Sequence, residues 1–298
     1  MTTRTKVPHA AGRVTYKKQS KALDVWRRLR KNRGAIIGLI IIVVIILTAI
    51  LCPLFLDYEQ DIVKQNISER LQFPSLQHLL GTDTLGRDLF ARIVWGARAS
   101  VGIGFASVAI ALIVGGVIGA VAGFWGGGVD MLLMRIMDVF LAIPATLLAI
   151  AIVAAFGGSI RNLIIALAIS MVPNMARVTR GSVMTARDQE YVEAARAIGD
   201  SKLVILFCHV LPNSLAPVIV QTTLSVASAI LITAGLSFIG LGVEAPMPEW
   251  GSLLSSGREC IRTHGYLSVF PGVAIMLTIL SLNLLGDGLR DALDPRLK

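Results

Sequence analysis

Apolar stretches long enough to cross a bilayer recur along the chain, separated by short polar segments, and this alternation sets the first expectation. Residues 34–56 contain no charged side chain, enough helix to cover about 30 Å of hydrocarbon. Further apolar runs follow at 100–124, 131–156, 162–178, 214–241 and 268–286. Inside hydrocarbon every backbone N–H and C=O needs a partner within the protein, and a helix supplies it from its own segment. The pattern predicts an all-α polytopic membrane protein with six transmembrane helices. Its expected parts are a basic tail (1–33), a first transmembrane helix (34–56), an external segment with an amphipathic helix (57–97), a five-helix core (98–290) and a C-terminal tail (291–298).

The polar interruptions refine this picture. In the segment from His78 to Ser100, Thr82 or Asp83 can cap a turn. Leu89, Phe90, Ile93 and Val94 then form a stripe opposite Arg87, Asp88 and Arg92. A helix lying along the outer interface is expected there, with Trp95 at headgroup level. Gly115, Gly119 and Gly123 recur every fourth residue, which strips side chains from one helix face and admits a close neighbour. Beyond the turn Gly126–Gly128, Arg135 and Asp138 stand three apart and are expected to pair with each other, and Pro144 is expected to kink the third span. The fifth span carries a run of polar residues, Gln221, Thr222, Thr223, Ser225, Ser228 and Thr233. Any of these can bond to a neighbouring helix, and Gln221, Thr222 and Ser225 are candidates to line a translocation path.

Charge fixes the expected orientation. The chain has a net charge of +9, with eleven Lys/Arg and only Asp24 as an acid in residues 1–33. This excess sits beside a membrane span and suits anionic lipid rather than nucleic acid. By the positive-inside rule it stays in the cytoplasm, and six spans return the C-terminus to the same side. A full span follows the basic run, where a signal peptide would have a short apolar core and a cleavage site. Hydrophobic residues make up 54% of the chain and charged residues 16%, against roughly 25% charged in a soluble domain. Cys52, Cys208 and Cys260 are far apart and form no CxxC pair, so neither a disulfide framework nor a metal cluster is expected.

One polar interruption in the C-terminal half differs from the rest. Residues 190–212 read EYVEAARAIGDSKLVILFCHVLP. Val192, Ala195 and Ile198 share a helical face, and Gly199 supplies a sharp turn. Asp200-Ser201 can cap a second short helix, along which Leu203, Leu206 and Val210 continue an apolar stripe until Leu211-Pro212 closes it. A rigid helix-turn-helix hairpin is expected on the cytoplasmic side, within a loop at about 179–213 entered past Arg177, Arg180 and Arg187.

The sequence contains no GxxxxGK[ST] loop, no HExxH pair and no GxSxG elbow. No lone carboxylate stands at mid-span, where an ion-coupled carrier usually keeps one. A pore-forming subunit without an energy source needs a partner, and the hairpin is where a partner can dock. Here a resemblance enters. Glu193-Ala194-Ala195, then Gly199, then His209-Val210-Leu211-Pro212, resembles the EAA loop of ABC importer permeases. GTDTLGRD at 81–88, LSFIGLG at 236–242 and LLGDGLRDALDPR at 284–296 resemble the dipeptide/oligopeptide/nickel permease family, and within it the C-type subunit. His209 and Thr233 depart from the common pattern, which often has isoleucine and glutamate there.

The resemblance implies a type I ABC importer permease fold in a prokaryotic plasma (inner) membrane. It implies a second permease, two cytoplasmic ATPases that bind ATP-Mg, and an extracytoplasmic binding protein. No cofactor and no catalytic residue are implied for this chain. The implied cargo is a di- or oligopeptide, with nickel chelate or glutathione as alternatives; an autonomous secondary carrier is the rival of a different class. Glu193, Ala194, Ala195, Arg196, Ala197, Gly199, Leu211 and Pro212 would couple to the ATPases.

Overall fold

The computed structural model describes residues 21–293 and is almost entirely helical. The basic run ahead of Lys21 and the motif residues from 294 onward lie outside the described residues. Among the described residues, five helical stretches are long and apolar enough to cross a membrane, and a sixth is formed by a bent pair. In order they are α2 (Arg33–Leu51), α3 (Leu89–Trp125), the pair α4 (Gly127–Leu141) and α5 (Ala145–Phe156), α6 (Ile160–Arg187), α9 (Leu211–Phe238) and α11 (Tyr266–Leu293). Shorter helices are α1 (Lys21–Leu29), α7 (Glu190–Ala197), the single turn α8 (Lys202–Val204) and α10 (Trp250–Gly257). One end of the bundle carries residues 188–210, the hairpin end; the far end carries 52–88 and 239–265.

A central apolar cluster joins five of the long helices: Ile42, Val108, Ala111, Met171, Val226, Ala227, Ala229, Ile230 and Leu282. The α3–α6 seam is closer than side chains would allow. A Cβ on Gly115 would lie 2.7 Å from Val172 O, one on Gly119 would collide with Ala176 O, and one on Gly123 would lie 2.8 Å from Arg180 O. The four-residue spacing thus brings α6 backbone against α3 backbone along more than two turns. The same device seats α2 on α11. Gly38 meets Ser281 O, and Gly288 has room only for Ala35 Cβ beside it. Leu29, Ala35 and Ala292 close that corner with Val25, Leu285 and Leu289.

Three expectations are corrected. Among the described residues, 78–100 form no separate interfacial helix ahead of the second span. Asp88, rather than Thr82 or Asp83, caps α3 by accepting from Ala91 N at 2.9 Å, and the helix then runs unbroken for 37 residues. The stripe is also turned, because Arg92 is buried and Phe90 exposed. Arg92 is held inside by Asp83, whose carboxylate accepts from Arg87 Nε at 2.7 Å and from Arg92 Nη1 at 3.2 Å. Second, Asp138 pairs with Arg177 Nη2 of α6 at 2.8 Å rather than with Arg135. Third, Pro144 ends α4 altogether, and α5 leaves at 77° to it.

The family-like motifs at the far end are joints. In 81–88, Gly81 and Gly86 take positive φ, and a Cβ on Gly86 would collide with Asn66 O. Thr82 Oγ1 donates to Glu69 O and accepts from Gln72 N, and Tyr266 Oη donates to Thr82 O at 2.9 Å. In 236–242, Gly240 at φ 86° closes α9, with Leu241 N donating to Leu236 O at 2.8 Å and Gly240 N to Ser237 O at 3.0 Å. This 6→1 and 5→2 pair is a Schellman cap. Gly242 and Gly158 then touch backbone to backbone.

The glycine seam is directly testable. Gly119→Ala should destabilise the subunit by about 1–3 kcal/mol through overpacking, seen as a lower melting midpoint in detergent. Gly116→Ala, whose Cβ meets nothing within 4 Å, should leave the midpoint unchanged or raise it.

Candidate functional site

The hairpin is built on an apolar seat. Val192 and Ala195 of α7 pack with Ile205, Leu206 and Val210 against Ala120 and Phe124 of α3 and Val183 and Ala186 of α6. The third expected member of the stripe, Ile198, is instead 80% exposed. The helix ends beneath it. Gly199 adopts φ 90°, its N–H donates to Arg196 O at 3.1 Å, and Asp200 N donates to Ala195 O at 3.1 Å. This Schellman cap swings the chain away before Ile198 can return to the stripe.

Past the turn, Ser201 Oγ accepts from Val204 N, and Asp200 Oδ2 lies 3.2 Å from His209 Nε2. The His209 departure therefore has a local partner across the turn. A wide π-helical turn, Ile205–Val210, leads into α9 without interruption. Pro212 does not close the stripe as expected. It sits in the first turn of α9, where its missing N–H is least costly. Leu203 also leaves the stripe and is exposed, whereas Leu206 and Val210 stay buried.

The expected coupling residues therefore divide. Ala195 is buried and Leu211 packs beside the seat, so both support the hairpin. Glu193, Ala194, Arg196, Ala197, Gly199 and Pro212 are exposed. Among the described residues neither Glu193 nor Arg196 forms an ion pair. Sequence reasoning missed the apolar part of this exposed face: Tyr191, Ile198, Leu203, Val204 and Phe207, the last 62% exposed. A signal was present for Tyr191, Val204 and Phe207, large apolar residues lying off the expected stripe, but not for Ile198 and Leu203, which periodicity puts on it. Such a rimmed apolar patch marks an interaction surface.

The polar residues of α9 are mostly turned onto their own helix. Thr222 Oγ1 donates to Val218 O at 2.7 Å, Thr223 to Ile219 O at 3.1 Å and Ser228 to Leu224 O at 3.2 Å. Thr233, buried, donates to Ala229 O at 2.8 Å. Gln221 Nε2 donates to the buried Ser225 Oγ at 3.3 Å. Gln221 and Ser225 are thus one unit, while Thr222 lies on the neighbouring strip. Among the described residues no group of three or more His, Cys, Asp or Glu could hold a metal ion, and Cys52, Cys208 and Cys260 are free thiols.

With this geometry in view, residues 115–298 match the family of binding-protein-dependent transport system inner membrane components. The chain belongs to this family. Residues 20–74 of the permease also match the N-terminal TM domain of oligopeptide transport permease C. The permease is 50% identical to the dipeptide transport system permease protein DppC of Alkalihalophilus pseudofirmus, over 94% of this chain and 93% of that protein. It is 45% identical to the di/tripeptide transport system permease protein DppC of Pseudomonas aeruginosa, with 92% of each covered. It is 40% identical to the glutathione transport system permease protein GsiD of Pectobacterium atrosepticum, over 92% of this chain and 91% of that one. Its fold is shared with a chain of the MetNI methionine ABC transporter in an inward-facing conformation, at a TM-score of 0.57, 17% identity, and coverage of 68% of this chain and 96% of that one. The permease is thus a multi-pass inner membrane subunit with the fold of ABC importer permeases.

The turn at Gly199 is limited by backbone conformation alone, because a Cβ there meets nothing within 4 Å. Gly199→Ala should therefore cost about 1–2 kcal/mol and shift hairpin protease sensitivity upward. Gly199→Asn, whose side chain tolerates the left-handed region, should lie between alanine and the parent.

Proposed function

We propose that this permease pairs with a second permease in an ATP-driven importer for di- and oligopeptides, and that the exposed face of its hairpin docks a cytoplasmic ATPase. The observation that carries this reading is the hairpin's two-sidedness. One face is packed into the ends of α3, α6 and α9, and the other presents Glu193, Arg196 and Ala197 beside Ile198 and Phe207. A hairpin fixed on one side and sticky on the other transmits a push, and a short helix resists bending while doing so.

In this reading two ATPases bind and hydrolyse ATP-Mg, a binding protein delivers cargo at the far end, and this chain catalyses nothing. Gln221, Thr222 and Ser225 line the path between the two permeases. Movement of the hairpins swings the bundles between inward- and outward-facing states. The peptide cargo is supported by the names of the relatives, of which the dipeptide and di/tripeptide permeases are among the most similar. A glutathione cargo, itself a modified tripeptide, is the second reading, favoured by the 40% identical GsiD. The orientation is supported by charge: Arg27, Arg28, Arg30, Lys31 and Arg33 lie at the hairpin end with Arg196, Lys202 and Arg290. By the positive-inside rule this charge supports a cytoplasmic hairpin end.

Affinity purification from the native membrane tests the assembly. A second six-span permease and ABC ATPases should co-purify with the parent, and the ATPase yield should fall at least severalfold with Glu193→Arg, a loss of about 1 kcal/mol or more. A stable homo-oligomer without ATPases would overturn the reading. The cargo is then read by eluting the accompanying binding protein and identifying what it carries. Orientation has a separate test. A cysteine at Ala197 should resist an impermeant maleimide in intact cells and react in inverted vesicles; the opposite pattern would reverse the topology.

A further inference from the structure

Arg177, Arg180 and Arg187 fall within one face of α6, and each binds the α3–α4 region rather than water alone. Arg180 Nε donates to Asp130 Oδ1 at 2.5 Å and its Nη2 to Asp130 Oδ2 at 2.6 Å, a two-pronged pair that is mostly buried. Arg177 Nη2 donates to Asp138 Oδ1 at 2.8 Å and is more exposed. Arg187, in the last turn before the hairpin, donates through Nη1 to Gly123 O at 2.9 Å and Phe124 O at 3.3 Å.

These bonds matter because α4 has little else to hold it. Met137 is its one buried residue, and Met131, Leu132 and Val139 face outward. Its continuation α5 is anchored differently, by Ala149 and Val153 packed on Leu163, Ala166 and Leu167 in the first half of α6. The broken span therefore grips α6 twice, by apolar packing before Pro173 and by ion pairs after it. A proline interrupts each member between the two grips: Pro173 within α6 and Pro144 at the 77° break. Each removes a backbone hydrogen bond where the halves join. The two ion pairs thus tie the hairpin-bearing half of α6 to α4 across the two proline sites.

We infer that Arg180 and Asp130 are positioning residues for transport: their paired bond carries displacement of the hairpin into α4, so that the broken span turns at residues 142–144 when the ATPases close. Arg177–Asp138 is a second, weaker attachment on the same face, since exposed pairs contribute little. A guanidinium–carboxylate fork suits this task because it fixes angle as well as distance. The inference rests on the coupling role proposed for the hairpin.

The test uses the assembled transporter with its ATPases and binding protein in proteoliposomes, with a labelled dipeptide as probe and uptake measured per ATP hydrolysed. Arg180→Asp and Asp130→Arg should each lower that ratio by about tenfold, and the exchanged pair Asp130→Arg/Arg180→Asp should recover it to within about threefold. The exchange puts a cation in the first turn of α4, so full recovery is not expected. The ATPases should co-purify with every variant. Singles that keep the parental ratio, or an exchange no better than either single, would overturn the inference. Should the singles fail to insert, Asp130→Asn keeps the shape and one acceptor; it should lower the ratio about threefold, and an unchanged ratio would again overturn it. Gly199→Pro separates the two levels. If that variant transports normally, the coupling role of the hairpin fails and the inference with it. If it blocks transport while the charge-reversed singles do not, only the inference fails.

Discussion

Helices in a membrane gain nothing by hiding apolar surface from lipid, so their association depends on how closely backbones can approach. In this permease that constraint is met at the α3–α6 seam, where Gly115, Gly119 and Gly123 leave no room for even one added carbon. Everything at the hairpin end follows from it. With Gly123 against Arg180 O, the last turn of α6 lies beside the carbonyls that end α3, and Arg187 can satisfy them. Ala120 and Phe124, one turn apart on α3, then form the floor on which Val192, Ala195, Leu206 and Val210 rest. Widening the seam would tilt the floor and with it the hairpin.

The far end is held by another kind of constraint, buried carboxylates with several hydrogen-bond partners each. Glu249 is 1% exposed and accepts from Ser100 Oγ at 3.0 Å, Gly251 N at 2.9 Å and Ser252 N at 3.0 Å. It caps α10 and ties it to α3 in one group. Asp83 does the same for the 81–88 turn with Arg87 and Arg92. Removing Arg92 from Asp83 would break a buried ion pair, at a cost of about 3–5 kcal/mol. Such joints resist motion. The chain can yield instead at Pro144 and Pro173, which border the hairpin-side half of the bundle, and along α4, where Met137 is the one buried residue.

The parts legible in the sequence were those governed by local rules. Span positions followed from hydropathy, the seam from four-residue glycine spacing, and the hairpin turn from Gly199. Most of the differences have one cause, competition from a partner distant in sequence. Asp138 stands three residues from Arg135, yet Arg177 of another helix reaches it. Arg92 read as the polar face of an interfacial helix because nothing in the spacing showed that Asp83 would meet it inside. Ile198 was placed on the buried stripe by periodicity, which could not show that the Schellman cap ends the period one residue early. The break at Pro144 was expected as a kink, and only packing against α6 decides that the two halves part by 77°.

The same distinction separates what the recurring motifs do from what coupling requires. The 81–88 motif resolves into positive-φ glycines and a helix cap, the 236–242 motif into a Schellman cap and a glycine–glycine contact, and Gly288 of the last motif into a close approach on Ala35. These residues are fixed by geometry within the chain, so resemblance at these positions carries the fold. Glu193, Arg196 and Ala197 are different, because nothing inside the described chain demands them. Their exposure on a hairpin whose other face is packed into the bundle suits contact with another surface, the role proposed for them above.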